Sequence, residues 1–392
     1  MATAAFSTKT KIFHWLTALM ILTIIPLGVI ATDAPIETDA QIATKTLLFS
    51  MHKTLGVAVF LVALARIAYA LTQSKPAPLH PERRLETALA ETVHWLLYIS
   101  LVFVPLTGWI HHSAAAVAAP IWLPFANHLP FVPTDPTVSD FFGGLHWLWS
   151  KIMIVSILLH VAGALKHHVI DKDATLRRMW FGHTATTPRV GGRQHISAVI
   201  AGAIYLGVAG IGAAAGALST AKDLQQPVAL TAVPSQWAVE TGTIGLTITQ
   251  LGNQVTGEFT DWVSEINFED AATGVVGQVT TTINIGSLTL GTVTAQAMGP
   301  DFFDQTQFPT AIFAADLIKT EGRFFAEGTL SIKGVSVPVA FPFDLGVTDD
   351  VASMSGGVTL NRRDFGIADN MSDESNLGFV VEVNLALTAR RS

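Results

Sequence analysis

Five stretches of the chain stay apolar long enough to cross a bilayer as helices: Ile12–Ala31, Leu47–Leu71, Val93–Ala116, Leu145–Leu165 and Ile196–Leu218. A hydrocarbon core of about 30 Å takes about 20 residues of helix. The first stretch has an alternative reading as a cleaved leader, because Lys9 and Lys11 precede it and "ATDA" follows. Its length, Pro26 within it and the loss of His14 on cleavage favour a retained span. After the linker "STAKDLQQP" the pattern changes from runs to alternation. "TIGLTITQL", "GQVTTTINIG", "FAEGTLSIKG" and "VSVPVAFPFDL" place Val, Ile, Thr and Phe on alternate positions between Gly, Asn and Asp. That is the signature of half-buried antiparallel strands. Apart from a short turn around "DFFD", this part shows no helical period. The predicted architecture is four membrane spans within residues 1–182, a fifth transmembrane helix with linker over 183–222, and an antiparallel β-barrel of about eight strands, or a sandwich, over 223–392.

Composition supports a membrane class: 50% of the 392 residues are hydrophobic and 14% charged, with a mean hydropathy of +0.45. There is no cysteine, which excludes disulfides, thiolate metal sites, iron–sulfur clusters and covalently attached c-type haem. Residues 1–222 carry 16 Lys and Arg against 10 Asp and Glu, a net of +6, whereas residues 223–392 carry 7 against 20, a net of −13. Parts so differently charged suit different surroundings, and no nucleic-acid partner is expected. Lys9, Lys11, Lys75, Arg83, Arg84, Lys166, Lys172, Arg177, Arg178, Arg189 and Arg193 gather on one side of the alternating spans. Positive loops stay cytoplasmic, so the N-terminus is expected inside and the barrel outside, in the periplasm of a Gram-negative cell with the helices in its inner membrane.

Histidines inside these spans demand a reason, because ionisable groups in hydrocarbon are expensive. His146 and His160 lie 14 residues apart in one span. That separation is about 21 Å of helix and about 1400° of rotation, within about 40° of four turns, so both share one face near opposite membrane surfaces. His52 matches the depth of His146, and His14 that of His160. Two levels of paired imidazoles between helices suit two haem b groups, whose iron takes an axial ligand on each face. A zinc or copper site would ask for more ligands at one depth, often with acid or thiol. Hydrogen bonding between helices is the plainer role for any one of these histidines. His94 competes with His14, and His111 and His112 compete with His52. His167 and His168 read as interfacial or quinone-side residues; His80, His128, His183 and His195 read as loop or helix-edge residues. Arg66, 14 residues after His52 and on its face, would meet a haem propionate or snorkel to lipid phosphate.

The stretches "KIFHWLTALMI", "SMHKTLGVAVFLVALAR", "VPLTGW" and "LLHVAGALKHH" resemble the bacterial cytochrome b561 family over about residues 6–182. The resemblance implies a four-helix, di-haem b protein of the inner membrane. It implies bis-histidine ligation, carried here by His14, His52, His146 and His160, and electron exchange with ubiquinone, with one branch oxidising superoxide at the periplasmic face. The fifth helix is outside that pattern and would serve to export the following domain. "DFFDQTQFPTAIF", "GTLSIKGVSVPVAFPF" and "LNRRDFGI" resemble the YceI family of lipocalin-like barrels, which implies binding of polyisoprenoid chains over about residues 236–389. "AQAMGPDFF" departs from that family's Arg-Asp-His pattern, and Gln250 stands where a histidine is common.

The expected function is electron transfer between a periplasmic donor, superoxide or a redox partner, and ubiquinone, with the tethered barrel holding quinone or another isoprenoid. Lys53, beside His52, would attract an anionic donor or contact a lipid headgroup. In the rival reading the helices chiefly anchor a polyisoprenoid-binding protein. A metal-dependent hydrolase lacks an H-E-x-x-H or similar motif.

Overall fold

The computed structural model describes residues 6–36, 38–73, 80, 82–115, 118–180, 194–218, 230, 234–269 and 273–392. Lys75, His183, Arg189, Arg193, the linker "STAKDLQQP" and the side chain of His195 lie outside the described residues. Contacts divide the chain into two compact units, one of residues 1–34, 45–114 and 119–220, the other of 35–44, 115–118 and 221–392.

Five long helices carry the apolar stretches: α1 (Thr8–Asp33), α2 (Asp39–Leu71), α3 (Arg84–Ala114), α4 (Pro136–Val169) and α5 (Gln194–Ala214). Each is long and apolar enough to cross a membrane. Polar caps extend two of them beyond the apolar runs. Ser7 Oγ accepts the Thr10 N–H at the start of α1, and Asp135 accepts the Val138 N–H before Pro136 in α4. The fifth helix instead stops short of Leu218, because Gly216 takes the left-handed conformation that ends helices, with φ 73°. Ile21, Val59 and Leu101 form a buried cluster among α1, α2 and α3. The fifth helix is packed against the others. It packs on α3 and α4 through Leu96, Ala201 and Tyr205; Tyr205 pairs its hydroxyl with Ser100 and sets its ring 5.5 Å from that of Trp149.

Among the described residues the second unit holds one antiparallel sheet of ten strands: β1 (Trp237–Gln250), β2 (Asn253–Phe259), β3 (Trp262–Phe268), β4 (Gly274–Asn284), β5 (Leu288–Thr289), β6 (Thr310–Thr320), β7 (Arg323–Ile332), β8 (Val335–Thr348), β9 (Val351–Asn361) and β10 (Leu377–Arg391). The two-residue β5, absent from the alternating pattern, adds to the expected count of about eight. The order β3-β4-β6-β7-β8-β9-β10-β1-β2-β5 curls the sheet so that β1 comes back to β3. Side chains, in place of a ladder, stitch that seam: Ser235 Oγ accepts the Ile266 N–H at 2.7 Å, and Gln236 Oε1 accepts the Phe268 N–H at 2.9 Å. Trp237, 1% exposed, donates its indole N–H to the Phe268 carbonyl. The turn over "DFFD" follows a short helix, α6 (Thr294–Ala297).

One end of the barrel is held by a buried arginine with no carboxylate in its bonds. Arg362, 3% exposed, donates to the carbonyls of Gly378, Ile367, Ala368, Met371 and Leu377. Leucine at this position leaves those acceptors unpaired, at about 3 kcal/mol or more in total. The expected result for Arg362→Leu is a barrel melting transition lowered by about 10 °C, measured by circular dichroism. An unchanged transition would show that water replaces the guanidinium without cost.

Candidate functional site

Helix geometry places four chemistry-bearing pairs 14 residues apart, one pair per helix: His14 and Gly28 on α1, His52 and Arg66 on α2, His94 and Gly108 on α3, His146 and His160 on α4. Each pair spans about four turns, so both members share a face. The structure sorts them into two levels. At one, the rings of His52 and His146 are 6.2 Å apart between centres. At the other, His14 and His160 are 6.1 Å apart. Two imidazoles on opposite faces of one iron, with metal–nitrogen bonds of about 2 Å and each ring centre about 1 Å further out, sit about 6 Å apart. The residues at both levels therefore fit the axial demand of haem.

Hydrogen bonds set the orientation of the His52–His146 level. A carbonyl only accepts, so His52 carries its proton on Nδ1, donated to the Ile24 carbonyl at 3.0 Å. His146 does the same toward the Val104 carbonyl at 2.8 Å. Each ring thus keeps the Nε2 lone pair for a metal, the arrangement by which outer partners fix a ligating histidine. Both accepting carbonyls lie four residues before a glycine, Ile24 before Gly28 and Val104 before Gly108. A Cβ on Gly28 would lie 2.7 Å from His52 Cε1, and one on Gly108 would lie 2.8 Å from His146 Nδ1. The missing side chains are what let the two rings lie against α1 and α3.

At the other level, His94 also approaches His160, with ring centres 5.1 Å apart. That is closer than either of the two couples, and its side chain is exposed; its Nδ1 donates within α3 to the Ala90 carbonyl, as that of His52 donates to the Ile24 carbonyl. Arg66 is half-buried within electrostatic range of His14, His160 and Tyr98. Its guanidinium makes no hydrogen bond or ion pair among the described residues, which suits an anionic carboxylate such as a haem propionate. Between the levels, Ile21, Val59 and Leu101 each lie seven residues after the first histidine of their helix and form an apolar floor.

Of the rival histidines beside His52, His111 keeps Nε2 free as His52 does, but among the described residues the ring of His146 is paired with that of His52. His111 Nδ1 lies 2.7 Å from the Ser139 carbonyl at the start of α4. His112 is buried, with its Nδ1 3.3 Å from the Lys53 ammonium; Lys53 also donates to the Ala119 carbonyl. His128 and His168 are exposed. His80 stacks on His167, with centres 6.4 Å apart, in a cluster where Lys166 pairs with Glu86 and Asp171 and His167 Nδ1 lies 2.7 Å from Asp173. Burial pushes the Asp173 carboxyl up, but hydrogen bonds from Thr175 and His167 outweigh it and hold the group at about 2. Hydrogen bonding to Lys166 likewise keeps Asp171 below the ordinary carboxylate range. Glu86, His167 and Asp171 could converge on a metal ion, but their charge is already met by Lys166 and Arg83.

The second unit encloses a chamber of about 270 Å³. Alternation along the strands builds its walls: Ile244, Leu246 and Ile248 of β1 face inward with Phe341 and Phe343 of β8. No lining residue could be named from the sequence, because alternation gives the two faces of a strand and leaves open which one closes on the interior.

Comparison with known proteins follows the same division. Residues 5–182 match the family model described as prokaryotic cytochrome b561, and residues 236–389 match the YceI-like domain. The chain is 28% identical over 170 residues to cytochrome b561 homolog 2 of Escherichia coli (strain K12), covering 43% of this chain and 86% of that protein. To cytochrome b561 homolog 1 of the same organism it is 29% identical over 178 residues, covering 44% and 94%. To the probable superoxide oxidase CybB of Yersinia pestis it is 23% identical over 167 residues, covering 42% and 90%. Among solved structures, BcnA of Burkholderia cenocepacia is 22% identical with a TM-score of 0.36, covering 38% of this chain and 95% of that one. The YceI protein of Campylobacter jejuni is 23% identical with a TM-score of 0.32, covering 35% and 84%. This membrane protein joins a cytochrome b561 segment, residues 5–182, to a YceI-like domain, residues 236–389, in one polypeptide.

Proposed function

We propose that the chain is a di-haem b electron-transfer protein of the bacterial inner membrane, passing electrons between a donor on the periplasmic side and ubiquinone, with its barrel holding an isoprenoid or the quinone itself. The observation that carries the reading is the pair of imidazole couples, His52 with His146 at 6.2 Å and His14 with His160 at 6.1 Å between ring centres. Haem b, when bound, supplies reversible one-electron chemistry. His52 with His146 and His14 with His160 would hold the haems, two imidazoles to each, which favours outer-sphere transfer over oxygen binding, and Arg66 would meet a carboxylate of the group. The excess of Lys and Arg in alternate loops supports a cytoplasmic N-terminus and a periplasmic barrel. Superoxide as donor is supported by the name of the Yersinia relative and by the position of Lys53. A barrel tethered to the membrane raises the local concentration of its isoprenoid without any new contact.

The test is the purified full chain in detergent, given superoxide and a short-chain ubiquinone. A b-type α band on reduction and superoxide-dependent quinone reduction are expected. Absence of the band would leave a membrane-anchored polyisoprenoid-binding protein, the reading that the apolar chamber alone supports. For Lys53→Gln, the rate with superoxide should fall several-fold and lose much of its dependence on ionic strength, since a lone cation steers an anion over no more than the screening length. An unchanged salt dependence would remove Lys53 from the donor site.

A further inference from the structure

The chamber has a polar end, and its chemistry selects a head group. The inward row of β1 runs Ile244, Leu246, Ile248 and stops on Gln250, which pairs in register with Leu377 of β10. Gln250 Oε1 is buried with no hydrogen-bond partner. It is the sole lining side-chain atom in that condition among the described residues. Ser264 pairs with Thr281 at 2.7 Å and the Trp237 indole donates to Phe268, while Thr243, Trp262 and Gln296 also reach the lining without a buried orphan atom among the described residues. The charged side chain in the lining is Arg362, and all five of its N–H groups are spent on backbone carbonyls. A buried acceptor without a donor costs free energy that a ligand hydroxyl would recover, whereas a prenyl phosphate, ionised at neutral pH and with no proton to donate, would set acceptor against acceptor in an apolar chamber whose one guanidinium is spent.

We infer that the chamber takes a hydroxyl-terminated isoprenoid, a prenol or quinol, with its O–H donated to Gln250 Oε1, and discriminates against prenyl phosphates. The inference rests on the barrel being an isoprenoid carrier, as proposed above, and narrows the ligand to one head-group class.

The experiment uses the full chain in nanodiscs carrying tritiated geranylgeraniol, with counts on empty nanodiscs subtracted. Unlabelled geranylgeraniol, geranylgeranyl phosphate and the parent hydrocarbon compete in turn. Geranylgeraniol should displace the label about tenfold more strongly than either other compound, the value of one hydrogen bond. Gln250→Met, close in shape but without the acceptor, should bring geranylgeraniol down to the level of the hydrocarbon. Phosphate competing as well as the alcohol, or an alcohol preference that survives Gln250→Met, overturns the head-group assignment while leaving an isoprenoid carrier. No saturable binding of the labelled alcohol overturns the carrier reading as well. Should Gln250→Met fail to fold, the ranking of the three competitors on the unaltered chain decides alone.

Discussion

Under the proposed di-haem arrangement, replacing His52 with alanine should remove one haem and leave the other. His52 and His146 form one couple, 6.2 Å apart, and His14 and His160 another, 6.1 Å apart. Four helical turns, about 21 Å, separate the levels, and the buried floor of Ile21, Val59 and Leu101 lies between them. Loss of a ligand at one level should therefore not reach the other. The haem content of the purified protein falls from about two to about one per chain, with the same result for His146→Ala. For His160→Ala the loss falls on the other haem, which the two variants' difference spectra distinguish. His94→Ala is the informative companion. Its ring lies 5.1 Å from His160, and if His94 were the true partner of His160, that variant would lose a haem while His14→Ala would keep both. The reverse is expected.

The second large effect comes from a single methyl group. In Gly108→Ala the new Cβ would lie 2.8 Å from His146 Nδ1 and 2.9 Å from its Cε1, closer than carbon and a ring atom approach. The ring must swing away, and the 2.8 Å bond from Nδ1 to the Val104 carbonyl goes with it. Outer partners of a ligating histidine are worth about 10–100-fold in metal affinity, so haem at the His52–His146 level should bind weaker by that factor, read by competition with apomyoglobin. Gly28→Ala should act on the same level through His52, where the Cβ would stand 2.7 Å from Cε1. Gly163→Ala is the control, because nothing lies within 4 Å of its Cβ; both haems should stay. If Gly108→Ala binds haem as the parent does, the ring is not seated on the glycine and the orientation derived for His146 fails.

Much of the membrane part is legible in the sequence because its physics is one-dimensional. Twenty apolar residues announce a span, and the 14-residue step from His146 to His160 announces a shared face. The step from His52 to Arg66 repeats it. The glycines stay hidden to that reasoning, since a missing side chain carries no chemistry of its own. Yet Gly28 and Gly108 stand 14 residues after His14 and His94, and "IIPLG" and "VPLTG" each place the carbonyl that receives a histidine four residues before the glycine. Spacing to the neighbouring histidines was the available signal. The partnership of His111 with Ser139 and of His112 with Lys53 is not legible at all, because it depends on where a loop returns. In the barrel, alternation identifies strands such as β1 and β8, but the seam through Ser235, Gln236 and Trp237 joins residues far apart in sequence, and the clamp of Arg362 depends on how the irregular segment just after it folds back, which no periodic pattern encodes.

The most direct test is the haem content of the full chain, purified with excess haem present during synthesis and measured as pyridine haemochrome against protein by amino-acid analysis. Two couples of imidazoles predict about two haems per chain. One haem would contradict the two-level arrangement, and none would leave the four histidines as ordinary helix contacts.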